Sequence, residues 1–209
     1  MPDRARWLAP RVVAFAAIAL SGSSAAETPA GDLVIFDGSP RAPFAMFVGD
    51  EANWAVPVDA TDVKSAAGLV SVETDPESGA RRLVWSGQGE AQIYFAAPEG
   101  LDLSAYASGD AALVVLLRVD APPKKRVALR MGCGYPCAAE ADIKKLLRAL
   151  PVDQWVRASF DLQCFAEQGL DVTRVDTPFL LLSPGQLGLS IAAVGIVPGL
   201  GPDATIRCR

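Results

Sequence analysis

Histidine is absent from all 209 positions of the chain. That absence excludes the Ser-His-Asp and Cys-His catalytic arrangements, together with the common metal sites built on imidazole. Basic runs are scarce too. The densest cluster, Lys124-Lys125-Arg126, sits beside two prolines and reads as a solvated turn, and the full chain carries a net charge of −5. An acidic protein without a basic stripe is a poor partner for nucleic acid or an anionic membrane surface. The apolar stretch Val12 to Leu20 is too short to cross a bilayer as a helix. There are four cysteines, all in the second half of the chain, and aromatic residues make up only 7% of it.

What is present begins with an export signal. Arg4, Arg6 and Arg11 precede Val12–Leu20, and the small residues from Ser21 to Ala26 offer a cleavage site after Ala26. This is the layout of a secretory signal peptide over residues 1–26, which predicts a periplasmic or secreted protein. Residues 27–32 read as a linker and 33–209 as one domain, with no membrane span in the mature chain. Removing 1–26 takes away more bases than acids, so the remainder is more acidic still. Export favours disulfides over free thiols. Cys133, Cys137, Cys164 and Cys208 allow three pairings, among which sequence does not choose. One of them joins Cys133 to Cys137 across a short loop containing Gly134 and Pro136, leaving Cys164 with Cys208. An all-cysteine zinc site has poor spacing, with only one close pair.

The fold is organised around Asp110 to Cys137. Ala111–Val119 is apolar enough for a strand buried on both faces. The turn through Pro122 and Pro123 follows, and Val127, Leu129 and Met131 then alternate with Arg126, Ala128 and Arg130, as a half-buried return strand does. Short strands recur along the chain: Leu33–Phe36, Phe44–Val48, Trp54–Val58, Leu69–Thr74, Arg82–Trp85, Ala91–Ala97, Trp155–Leu162, Phe179–Leu182 and Leu187–Val197. Turn signals such as Asp75-Pro76-Glu77-Ser78-Gly79 separate them. Ile143, Leu146, Leu147 and Leu150 fall at helical spacing, so one substantial helix is expected near 139–150, ended by Pro151. A short helical turn is expected at 171–175. The pattern predicts an all-β, antiparallel sandwich of jelly-roll type.

Several segments together resemble one family. Trp85-Ser86-Gly87-Gln88-Gly89-Glu90-Ala91-Gln92, Asp102-Leu103-Ser104, Leu117-Arg118-Val119-Asp120, Met131-Gly132-Cys133-Gly134-x-x-Cys137, Trp155, Cys164-Phe165 and Val175-x-x-Pro178-Phe179 occur in the order seen in the galactose-binding-like C-terminal domain of bacterial exo-1,3/1,4-β-glucanases of glycoside hydrolase family 3. The resemblance covers about residues 33–197. It implies a free-standing, exported accessory module without the catalytic domains, since the chain is too short to hold a barrel of ~250 residues as well. A non-catalytic carbohydrate-binding module for β-glucan or a related polysaccharide is the function it implies. The alternative is a structural module that packs against a partner glycoside hydrolase or envelope protein.

Sugar recognition needs an aromatic face for the C–H side of the ring and amides or carboxylates for the hydroxyls. Trp85 with Gln88, Glu90 and Gln92 lies on a glycine-rich turn, where Gly87 and Gly89 would let backbone approach a ligand. The competing reading buries Trp85 and has the glycines only turn the chain. Trp54, in a polar loop, and Tyr135, in the cysteine loop, are further ligand-binding candidates, whereas Trp155 reads as core. No catalytic residue or cofactor is expected. Glu73, Glu90 and Asp102 form glycosidase-like pairs only in the sense that any acidic chain does. Asp37, Asp50, Glu51 and Asn53 have the oxygen chemistry of a structural calcium site but not the spacing of a dedicated loop.

Overall fold

The structure is a computed structural model that describes residues 32–108, 110–201 and 204–206; the predicted signal segment, all of the linker but Asp32, and Cys208 lie outside the described residues. In chain order the strands are β1 (Leu33–Asp37), β2 (Ser39–Pro40), β3 (Ala45–Asp50), β4 (Asn53–Pro57), β5 (Asp62–Lys64), β6 (Val70–Thr74), β7 (Arg81–Ser86), β8 (Ala91–Ala96), β9 (Ala112–Ala121), β10 (Ala128–Gly132), β11 (Ala138–Asp142), β12 (Trp155–Asp161), β13 (Thr177–Ser183) and β14 (Gln186–Val197). Three short helices accompany them: α1 (Ser104–Ala107), α2 (Lys144–Ala149) and α3 (Gln163–Glu167). The strands form two antiparallel sheets. One has eight strands, ordered β12-β9-β14-β7-β6-β5, with β1 also on β14 and β2 on β1; the other has six, ordered β11-β10-β13-β8-β3-β4.

Alternation along each strand decides which side chains meet between the sheets. Leu113, Val115, Leu117 and Val119 of β9, Leu83 and Trp85 of β7, and Val70 and Val72 of β6 are buried from one side. Met46 and Val48 of β3, Ile93 and Phe95 of β8, Leu129 and Met131 of β10, and Phe179 and Leu181 of β13 are buried from the other. Phe36, Phe95 and Phe179 form a chain through this layer, with ring centroids 5.3 and 5.9 Å apart. The first and last strands close the eight-stranded sheet: β14 pairs with β9 along one edge, and with β7 and then β1 along the other. A register shift between Ile191 and Ala193 lets one long strand serve both neighbours, which is how a bulge keeps apolar residues on the core side after a bend. Pro178 sits where the β10–β13 register shifts, a position that spares a central strand its missing N–H.

Three expectations change. The strand Ala111–Val119 and its return do not pair, because β9 belongs to the eight-stranded sheet and β10 to the six-stranded one. The proline turn is a corner between layers, and it lets both strands turn their apolar faces onto the same core. The helix expected over 139–150 is reduced to α2, since Ala138–Asp142 pairs instead with β10, Met131 opposite Ala139. Ile143 and Leu147 of the helical stripe are buried as expected. Residues 171–175 form a non-helical turn, and the short helix lies at Gln163–Glu167.

Asp50 joins the two layers at one end. It is fully buried at the end of β3, and its Oδ1 accepts the N–H groups of Ala52 and Asn53 while Oδ2 accepts that of Ala67, at 2.8 Å, on the turn into β6. Burial pushes this carboxyl up, but the Ser65 hydroxyl and the N–H groups of Ala67, Ala52 and Asn53 outweigh it and hold Asp50 below its ordinary value. The unfolded carboxyl therefore takes up its proton first as pH falls. The stabilisation is complete above the ordinary carboxylate range and is lost as pH drops toward the lower, folded value. Thermal unfolding should show Tm falling below about pH 4. Asp50→Asn should reduce that fall and cost about 1–3 kcal/mol at neutral pH, because its NH2 group would point at an N–H. A Tm–pH curve identical to that of the unmodified protein would show that Asp50 carries none of this coupling.

Candidate functional site

The residue types that a sugar site requires come together on the outer face of the eight-stranded sheet. Strand register sets one row across it: Trp155 of β12 opposite Arg118 of β9, Arg118 opposite Ser190 of β14, Ser190 opposite Arg82 of β7, and Arg82 opposite Glu73 of β6. Each of these residues has the opposite parity to its buried neighbours, so all five project away from the core. They line a cleft of about 570 Å³, closed at its sides by Thr74, Asp75, Ser78, Leu116 and Ala192 among others.

The row is held in place by its own polar contacts. The Arg118 guanidinium lies over the Trp155 ring, 5.3 Å from the centroid, and its Nε meets Asp120 Oδ1 at 2.7 Å. Arg118 also donates to Ser190 Oγ at 3.2 Å, and that hydroxyl donates to Asp120 Oδ2 at 2.8 Å. Arg82 pairs with Glu73 at 2.9 Å. Asp75 accepts N–H groups from Glu77 and Ser78, the larger contribution coming from Ser78, and these hold its carboxyl below the ordinary value. Trp155 remains 42% exposed. The result is a half-exposed indole with guanidinium and carboxylate groups around it, Ser190 buried beneath them, and both of its cations already paired.

The residues expected from sequence to bind ligand are not in this cleft. Trp85 is a correction: it is 2% exposed, and its indole Nε1–H donates to Ala91 O at 2.9 Å, so its ring faces the core and not solvent. Gly87 and Gly89 do accept a close approach, but from the chain itself. A Cβ on Gly87 would stand 2.6 Å from Gln186 N, and one on Gly89 would stand 2.7 Å from Leu69 Cδ1. Gln88 and Glu90 are exposed on that turn. Gln92 reaches across β3 and donates to Trp54 O at 3.3 Å. Trp54 is 41% exposed on the edge strand β4, its backbone laid so closely over Gly49 that a Cβ there would stand 2.2 Å from Trp54 O. Tyr135 is fully exposed on the cysteine loop.

Trp155, expected in the core, is instead exposed on the outer face of β12. The signal was there: Trp155 shares its parity with Arg157, Ser159 and Asp161, while Ala158 and Phe160 are the buried side of β12. Three of the four proposed calcium donors already have partners within the protein. Asp37 pairs with Arg41 at 3.2 Å, both Asp50 oxygens accept N–H groups, and Asn53 Oδ1 accepts the N–H of Ala55. Among the described residues no group of three or more His, Cys, Asp or Glu is placed to hold a metal. Of the glycosidase-like carboxylates, Glu73 is in the cleft on Arg82, while Asp102 is bonded to Ser104 and, like Glu90, lines no part of the cleft. Cys133 and Cys137 form a disulfide, and Cys164 is disulfide-bonded too; its expected partner, Cys208, lies outside the described residues.

A family model described as galactose-binding domain-like matches residues 42–196. Among solved structures the chain is similar to the extra C-terminal domain (X) of the exo-1,3/1,4-beta-glucanase ExoP from a Pseudoalteromonas species. The identity is 17% and the TM-score 0.65, over 79% of this chain and 92% of that one. It is also similar to the family 30 carbohydrate-binding module of the Clostridium thermocellum cellulosomal cellulase Cel9D-Cel44B, with 15% identity and a TM-score of 0.56, over 80% of this chain and 98% of that one. A family 11 carbohydrate-binding module from Clostridium thermocellum, in complex with a β-1,3-1,4-mixed-linked tetrasaccharide, matches at 9% identity and a TM-score of 0.52, over 82% of this chain and 98% of that one. At these identities the likeness establishes the β-sandwich fold. No curated protein matches the chain.

Proposed function

We propose a carbohydrate-binding role for this chain, and the premise is its membership: the chain belongs to the Exop_C family of galactose-binding domain-like proteins. The observation that carries the proposal is the outward row Trp155–Arg118–Ser190–Arg82–Glu73 across one sheet face. A sugar ring stacks its C–H face on the part of the Trp155 ring that Arg118 leaves exposed, and the hydroxyls around it are read by Arg118, Arg82 and Glu73, with the buried Ser190 holding Arg118 in place. The ligand class is a neutral glycan. Both guanidiniums in the cleft are ion-paired, so neither is left to neutralise the carboxylate of a uronic acid.

Within neutral glycans the reading is a β-glucan. The ExoP domain belongs to an exo-1,3/1,4-beta-glucanase, and the family 11 module holds a β-1,3-1,4-linked tetrasaccharide. The chain acts without catalysis of its own, exported through the 1–26 signal, and concentrates polymer for a glycoside hydrolase. The Cys133–Cys137 disulfide supports an oxidising compartment. Affinity electrophoresis of the full chain in gels of soluble β-glucan, xylan, galactan and pectin tests the reading. Retardation by β-glucan with none by pectin is expected; retardation by pectin alone, or by no polymer, would overturn it.

A further inference from the structure

The cysteine loop between β10 and β11 presents an aromatic ring that the cleft does not use. Tyr135 has a relative exposure of 103%, so the sandwich covers neither face of its ring. The loop under it is closed three times over: by the Cys133–Cys137 disulfide, by Cys133 N–H donating to Cys137 O at 3.0 Å, and by Cys137 N–H donating to Gly134 O at 2.7 Å. Gly134 has φ +87°, in the left-handed region where glycine carries no Cβ penalty. The closed loop fixes the backbone that carries the tyrosine, so on binding the ordering cost is confined to the ring's own torsions.

Grooves flank the ring on both sides. One, of about 520 Å³, is lined by Arg130, Glu140, Asp176 and Thr177; the other, of about 330 Å³, by Glu99, Arg174 and Asp176. Arg130 and Glu140 are fixed against each other at 2.7 Å, with Arg126 on the same carboxylate. A protein-docking patch would centre on clustered apolar side chains. Here the one exposed aromatic ring has only small or mostly covered apolar neighbours, Pro98, Pro136 and Leu180, and stands among hydroxyl, carboxylate and guanidinium groups, which suits one sugar ring with its hydroxyls.

We propose that the Tyr135 loop is a second saccharide site, and that one molecule bridges two glycan chains. This rests on the carbohydrate-binding reading above. Arg130, Glu140 and Leu180 alternate with the buried Leu129, Met131 and Leu181, so they face outward from the six-stranded sheet. The Trp155 cleft faces outward from the eight-stranded sheet. The two sites therefore lie on opposite faces of the sandwich, where one glycan segment cannot fill both. Two weak sites on opposite faces cross-link a long polymer, and the second contact on it gains from effective concentration.

The experiment uses the full chain and its Trp155→Ala, Tyr135→Ala and Tyr135→Phe variants, with soluble mixed-linkage β-1,3-1,4-glucan as the probe. Retardation in affinity gels is read together with light scattering on mixing protein and long polymer. Trp155→Ala should keep a weak retardation that adding Tyr135→Ala removes. The unmodified chain should raise the scattering, either alanine variant should abolish that rise, and Tyr135→Phe should keep it. Tyr135→Ala alone should weaken retardation about fivefold, and since Tyr135 touches no core its Tm should not move. If Trp155→Ala alone removes all retardation, or Tyr135→Ala leaves scattering unchanged, the second site is overturned while the cleft stands. If the unmodified chain is retarded by no polymer, the cleft reading falls as well.

Discussion

Trp85→Ala is expected to lose about 4 kcal/mol of folding stability, enough to leave much of the protein unfolded. Trp85 is among the largest fully buried side chains, and it packs between Val70, directly opposite on β6, and Leu187 on β14. Truncation removes its transfer energy, opens a cavity between the sheets and takes the indole hydrogen bond from Ala91 O. Trp85→Phe separates these effects, refilling most of the volume while still lacking the hydrogen bond to Ala91 O, and should cost about 1–2 kcal/mol. Denaturant unfolding followed by circular dichroism gives both values. A Trp85→Ala variant as stable as the parent would place the indole outside the core.

Trp155→Ala is expected to do the reverse: weaken β-glucan binding about 30-fold, equivalent to roughly 2 kcal/mol, with Tm moved by no more than about a degree or two. The indole is 42% exposed, so little buried area is lost with it. Arg118 loses the ring beneath it but keeps Asp120 and Ser190, so the polar part of the row stays in place. Titration calorimetry on the variant reads the loss directly. Unchanged affinity would mean that sugar, if bound, stacks elsewhere, on Tyr135 or on Trp54 of β4, and these would be the next residues to change.

These two tryptophans also show how much of the site was legible in the sequence. The alternating strands are enough to predict the sandwich, and the motif order is enough to point to the family. The same alternation, applied strand by strand, assigns Trp85 to the parity of Leu83 and Trp155 to the parity of Arg157 and Ser159. Proximity to glycines argued for Trp85 instead, and the glycines turned out to accommodate Gln186 and Leu69. The cleft as a whole was not readable. Its members come from β6, β7, β9, β12 and β14, and only the strand order brings Glu73 and Trp155 onto one face. The strand order depends on distant pairings such as β1 with β14, which no local pattern encodes. Ala138–Asp142 shows the same limit. Its alanines and acids favour helix locally, yet an open edge on β10 draws it into the sheet.

The most direct test of the central claim is a two-dimensional 15N–1H spectrum of the tryptophan indoles, recorded while a β-1,3-1,4-linked tetrasaccharide is added. Three indoles in the described structure occupy distinct environments: Trp85 buried and bonded to Ala91, Trp54 exposed on an edge strand, and Trp155 exposed under Arg118 in the cleft. The account predicts a saturable shift of the Trp155 signal, with Trp85 and Trp54 unmoved. A titration that shifts Trp54 and leaves Trp155 in place, or that shifts no indole at saturating sugar, would contradict it.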